Sequence, residues 1–194
     1  MGVLNRLVAT LVLFTTSLLC EAECPIECYC DHGTITCSGN KILTRFPSEI
    51  FGGTNSPSLE SALEENSHIF TRFELHDYNV YIVSKREFLS LISANKNVTE
   101  LSLSRNSIVN IENDTFAGHE LSHLKVLDLS DNKLNYFMGG EALKKLKVLD
   151  LSSNELQQVY GLSEMSTLET IDLRANRISY LEPTIFQVIS FLNQ

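Results

Sequence analysis

LKVLDLSDNKL (residues 124–134) and LKVLDLSSNEL (residues 146–156) are one phrase written twice with two changes. VTELSLSRNSI (98–108) and LETIDLRANRI (168–178) follow the same rule, L-x-x-L-x-L-x-x-N-x-L, with valine or isoleucine replacing some leucines. A looser copy, FTRFELHDYNV (70–80), carries Tyr78 in the asparagine slot. The copies start at 70, 98, 124, 146 and 168, so the spacings are 28, 26, 22 and 22 residues, a tandem period that marks a stacked-coil architecture. Ile35, Cys37, Asn40 and Ile42 fall on the same slots in a further, divergent copy.

Each copy reads as one short strand whose alternate residues point inward, followed by a turn and an irregular or helical return. No single coil can bury its own leucines, so stacking is compulsory. In the coil from Leu124 the inward set is Leu124, Leu127, Leu129 and Leu134, with Phe137 and Leu143 covering the return; Leu146, Leu149, Leu151 and Leu156 are the equivalents in the next coil. Burying one such leucine is worth roughly 1.5–3 kcal/mol. Asn106, Asn132, Asn154 and Asn176 form a column where the chain bends out of the strand. There the backbone loses its sheet partners, and an amide can both donate to and accept from it, whereas aspartate only accepts. These asparagines are therefore assigned a structural task.

The 194 residues are 43% hydrophobic and 20% charged, an ordinary globular composition. A formal net charge of −9 disfavours nucleic acid and anionic membrane as partners and suits a basic one. Residues 1–22, MGVLNRLVATLVLFTTSLLCEA, carry Arg6, an apolar run from 7 to 19, and then Cys20 and Ala22 at the small positions before a cleavage point. This is the pattern of a secretory signal peptide. The apolar run is too short for the roughly 20 residues of a membrane span, and no later stretch supplies one. A lipoprotein anchor at Cys20 is disfavoured by Leu18 and Leu19. Cleavage after Ala22 leaves Cys24, Cys28, Cys30 and Cys37, an even set that should form two disulfides in a secreted, extracellular chain. Three pairings are possible, and Cys28 with Cys30 is the least favourable because the two are so close. A zinc site is disfavoured by the spacing and by the oxidising compartment.

From Cys24 onward the chain resembles the extracellular leucine-rich-repeat family, which includes Slit-like proteins, small leucine-rich proteoglycans and Toll-like receptor ectodomains. CPIECYC followed by Cys37 is similar to that family's N-terminal cysteine-rich cap. The resemblance implies pairing of Cys24 with Cys30 and of Cys28 with Cys37. It also implies an α/β fold, a right-handed leucine-rich-repeat solenoid with a curved parallel sheet on its concave side, and a role in recognition, not catalysis. On this basis residues 1–22 are the signal, 23–51 the cap, 52–69 a polar insertion or link, and 70–194 five repeats. Residues 52–67, GGTNSPSLESALEENS, depart from the family as an unusually long, polar link expected to bulge outward. No cysteine follows Cys37, so the family's C-terminal cap is not expected within the sequence. The last coil, with Ile171, Leu173, Ile178, Leu181 and Phe186, is then expected to be uncapped and to favour self-association. A truncated or soluble form of a longer protein is the expected explanation.

Six strands at about 4.8 Å spacing make a concave sheet roughly 24 Å long, enough for a peptide, a loop or one domain face. The outward slots offer Glu74, His76, Glu100, Arg105, Asp128, Asp131, Asp150, Ser153, Asp172 and Arg174 as candidate ligand contacts. Glu74, Asp128, Asp150 and Asp172 form an acidic column, interrupted by Ser102. It could attract a cationic partner. The plainer reading, a solvated face with aspartate common at that slot, is preferred, because exposed charge pairs contribute little. Asn97-Val98-Thr99 and Asn113-Asp114-Thr115 are N-glycosylation sequons, and glycans at Asn97 and Asn113 would leave most of the concave face open.

Nothing in the sequence favours an enzyme or a cofactor. HELSH (119–123) spells H-E-x-x-H, the zinc-protease motif, with His119 and His123 as ligands and Glu120 as base. It falls in a return segment where Leu121 and Leu124 are needed for the core, and no third ligand is placed to complete it. The expected function is therefore a secreted protein- or glycan-binding module working through its concave sheet. A structural matrix protein without a specific receptor is the alternative.

Overall fold

The structure is a computed structural model, and it describes residues 28–31, 33–39, 71–78, 80–83, 98–112, 115–116, 123–181 and 183. The signal segment, Cys24, the 52–69 link, Asn97, Asn113, His119, Glu120 and Phe186 lie outside these residues.

Seven strands make one sheet. β1 (Cys28–Asp31) turns back antiparallel onto β2 (Thr34–Ser38), with Gly33 at φ +84° in the tight turn. From β2 onward every pairing is parallel: β3 (Arg72–His76), β5 (Glu100–Ser102), β7 (Val126–Asp128), β9 (Val148–Asp150) and β11 (Thr170–Asp172) follow in order. The short strands interleaved between them lie on the return side. There β4 (Ile82–Val83) pairs with β6 (Asn110–Ile111), and β8 (Tyr136–Met138) with β10 (Gln158–Tyr160), all in parallel. Returns expected to be irregular or helical thus carry small ladders of their own, with single 3-10 turns at Glu141–Leu143 and Leu162–Glu164. Parallel pairing without a long crossover helix is possible because each coil advances by only one strand spacing.

The register explains the repeat. Ile35, Phe73, Leu101, Leu127, Leu149 and Ile171 are successive cross-strand partners and point inward. Cys37 is the partner of Leu75 and fills a leucine slot, fully buried. The Leu124 coil's inward set, Leu124, Leu127, Leu129 and Leu134, and the Phe137 and Leu143 of its return lie in one continuous core with Leu146, Leu149, Leu151 and Leu156. Ile171, Leu173, Ile178 and Leu181 only border it, half-buried at the end of the described stack.

Each coil leaves its strand through a left-handed residue immediately before the asparagine slot: Asp77, Arg105, Asp131, Ser153 and Ala175 have φ between +52° and +63°. That conformation costs a non-glycine residue about 1–2 kcal/mol. The asparagines hold it in place. Asn132 Nδ2 donates to the Leu129 and Ser130 carbonyls of its own turn and, at 3.0 Å, to the Leu103 carbonyl of the coil before. Its Oδ1 accepts the Ile108 N–H at 3.0 Å. Asn154 repeats the pattern with Leu129 and Leu134, and Asn176 with Leu151 and Leu156. These amides close the backbone accounts of two coils at once.

Candidate functional site

The outward side of the main sheet is the candidate site, and its side chains fall in rows because the strands are in register. One row runs Tyr29, Thr36, Glu74, Ser102, Asp128, Asp150, Asp172 across all seven strands. A second lies two residues further along each coil and contains His76, Ser104, Ser130, Ser152 and Arg174. The left-handed residues, among them Arg105, Asp131 and Ser153, form the rim.

The aspartates of the first row fold back on their own turns. Asp128 Oδ1 accepts the Ser130 N–H at 2.9 Å and its hydroxyl at 2.7 Å; Asp150 Oδ1 accepts the same two groups of Ser152 at 2.9 and 2.6 Å. Asp172 does likewise with the Arg174 N–H and adds an ion pair to the Arg174 guanidinium. An aspartate at this slot therefore satisfies the first amide of the bend, the task an Asx turn performs. Glu74, one methylene longer, instead accepts from Thr36 Oγ1 at 3.0 Å and from Arg72 Nε at 2.7 Å.

A continuous polar chain crosses the first half of the face. Glu74 Oε2 lies 3.5 Å from His76 Nε2, and His76 Nδ1 lies 3.1 Å from both the carbonyl and the hydroxyl of Ser104. Ser102 Oγ donates to Asp128 Oδ2 at 2.7 Å and sits 3.2 Å from Ser104 Oγ. Ser102, which interrupts the acidic column, and Ser104 are buried beneath these larger neighbours. Glu100 reaches across to Arg72 at 3.2 Å, and Arg105 to Asp77 at 3.3 Å.

Three carboxylates are held below their ordinary range. Burial pushes Asp128 up, but the Ser130 and Ser102 hydroxyls, the Ser130 N–H and Ser104 together outweigh it. At Glu74 burial is likewise opposed, and exceeded, by the Thr36 hydroxyl, the charges of Arg72 and His76, and the Arg72 hydrogen bond. Asp172 is lowered by its Arg174 bonds, which in turn raise Arg174.

At the sheet's first edge Cys28 and Cys37, direct cross-strand partners, form a disulfide. The companion pair, Cys24 with Cys30, depends on Cys24 outside the described residues. Of the sequons, Thr115 is buried and its hydroxyl donates to the Val83 carbonyl at 3.2 Å, so this residue also ties two coils together. Of the HELSH motif only His123 is described, exposed ahead of β7. Among the described residues no three His, Cys, Asp or Glu side chains cluster for a metal, and no helix is long and apolar enough to cross a membrane.

Tyr29 is the feature of this face that the repeat rule does not reveal. It is 68% exposed and its Cα partner is Thr36, whose hydroxyl lies on the outward face. The alternation of CYCD against TITC, closed by Gly33, is the signal that places it there.

Residues 96–156 match the family model described as leucine rich repeat. No curated protein matches the chain. Among solved structures 51 chains match. One is the crystal structure of the mouse RP105/MD-1 complex, with a TM-score of 0.37 and 17% identity over 82% of this chain. The match spans 32% of the length of that other chain. The leucine-rich-repeat match over 96–156 and the register of the main sheet agree on one architecture, a leucine-rich-repeat solenoid.

Proposed function

We propose that this chain is a secreted, extracellular protein-binding module that engages its partner through the outward face of the main sheet. The observation that carries this is the face itself. Six parallel strands expose a polar, rigidly bonded surface on one side and spend their leucines on the other, and no described element covers it. A surface whose side chains are fixed by mutual hydrogen bonds loses little freedom on binding, which favours affinity. The Cys28–Cys37 disulfide supports an oxidising compartment. The cap pairing of Cys24 with Cys30, the signal at 1–22 and glycans at Asn97 and Asn113 belong to the same reading.

Expression of the full chain in a eukaryotic secretory host is the test. The medium should contain protein starting after Ala22, reduced in size by glycosidase. A photo-reactive residue at Ser152 should cross-link a partner that one at Lys144 does not, and the pair should re-form from purified components. Retention in the cytosol, or equal cross-linking from both sites, overturns the proposal.

A further inference from the structure

The concave row is not electrically uniform. On either side of its middle the row's carboxylates have arginine counter-charges: Glu74 pairs with Arg72, which also reaches Glu100 on the next strand, and Asp172 holds Arg174. In the middle, Asp128 and Asp150 are register partners on adjacent strands and the groups that bond them are serines; Arg174 reaches Asp150 only through space, while its hydrogen bonds go to Asp172. Serine donors satisfy the lone pairs without cancelling the charge. Beside them Val126 and Val148, also register partners, offer a half-buried aliphatic strip on the same outward face. Two charges about 4.8 Å apart, next to a strip of methyl groups, match the ammonium or guanidinium head and the methylene stem of one basic side chain. The other exposed anchor in the row is Tyr29, four strand spacings from Asp128. That is about 19 Å, the reach of about six residues of extended chain.

We propose that the outward row binds an extended segment of a partner protein, with one lysine or arginine seated over Val126 and Val148 between Asp128 and Asp150, and a second residue about six positions away stacked on Tyr29. This rests on the reading of the face as a protein-binding surface and adds the chemistry of its occupant. The row accepts charge where no arginine is bonded to its carboxylates, so it discriminates among partners by a basic residue at one fixed place. Tyr29 supplies the rigid, amphipathic contact typical of binding anchors.

The experiment pans the purified full chain against a random library of twelve-residue peptides and titrates the enriched peptides. Enrichment of lysine or arginine about six residues from an aromatic or second basic residue is expected. D128N/D150N keeps an oxygen to accept the Ser130 and Ser152 amides but removes the charge, and should weaken binding about tenfold. Y29A should weaken it about threefold to fivefold, and E112Q/E164Q, the same charge change on the return side, should leave it unchanged. Norleucine in place of the peptide's basic residue should reproduce the loss without touching the protein, which keeps the test valid if D128N/D150N fails to fold. Enriched peptides without basic residues, binding indifferent to D128N/D150N and to norleucine, or equal weakening by E112Q/E164Q would each overturn the proposal. S130W separates the two levels. Neutral peptides displaced by S130W leave the concave face as the binding surface and remove only the basic occupant, whereas peptides indifferent to S130W remove both.

Discussion

The coils that begin at Leu124 and Leu146 fasten their turns with asparagine; the coil that begins at Phe70 has a tyrosine in that slot. Asn132 and Asn154 each span their own bend and the coil before. Tyr78 fills its slot by volume, fully buried, and Gly39 in the preceding turn makes room, since a Cβ there would stand 2.8 Å from the ring. The next coil compensates. Asn106 reaches back to the Leu75 carbonyl at 2.8 Å and accepts the Tyr78 N–H itself at 3.1 Å, where later asparagines accept an N–H two residues further on. The Phe70 coil also holds Glu74 where the last three coils hold aspartate, and that carboxylate serves Thr36 on the neighbouring strand and Arg72 on its own in place of its bend. The regular coils show that a slot can be conserved through local bonds. The Phe70 coil shows that its work can instead pass to the coil behind it.

Substitutions in the regular coils should give the largest effects. Leu149→Ala removes a fully buried side chain flanked by coils on both sides and is expected to cost about 3–5 kcal/mol in urea unfolding. A loss below about 1 kcal/mol would mean the coils do not form one cooperative core. Asn132→Ala, which strands three carbonyls and the Ile108 N–H, is expected to cost about 2–4 kcal/mol. Tyr78→Asn restores the repeat's usual residue but empties the volume over Gly39, and about 2 kcal/mol of destabilisation is expected. If Tyr78→Asn is instead neutral or stabilising, the Phe70 coil is only a decayed copy and the contrast fails.

Acid should separate the two kinds of carboxylate as well. Asp128 and Glu74 have folded-state values below their unfolded ones, so the stability they contribute is complete above the unfolded value near 4 and is lost as pH falls through the folded one. Asp128→Asn should flatten the acid side of the stability profile while leaving the fold intact at neutral pH. Glu74→Gln should do so less, because its partners are shared and more exposed. Identical profiles for both variants would erase the distinction. The smallest effect belongs to the bends: Ala175→Gly should gain about 0.5 kcal/mol, since glycine takes φ +53° without steric penalty and gives back part of that gain as unfolded-state entropy.

Much of this architecture was legible from residue order. The leucine slots define the inward rows, Cys37 stands on one of those slots, and the asparagine column marks the bends. Other features depend on what stands on the next strand, which one coil's sequence does not contain. Ser102 belongs to an outward column by its slot, yet it and Ser104 are buried under His76 and Asp128 from the flanking coils. The return ladders β4–β6 and β8–β10 involve only two or three residues per strand, too few for alternation to show. The uneven counter-charge along the acidic column, on which the proposed basic occupant rests, likewise follows from which coil supplies an arginine and which a serine.

The asparagine amides all reach in one direction, each towards the coil that precedes it in the sequence. Shortening the stack from its back end strips carbonyls and amides that water can serve in place. Shortening it from the front frees only the half of each amide that reached backwards, because the bonds to its own left-handed bend remain. The solenoid therefore has a grain, like overlapping roof tiles: the exposed front presents side-chain amides and the exposed back presents bare backbone.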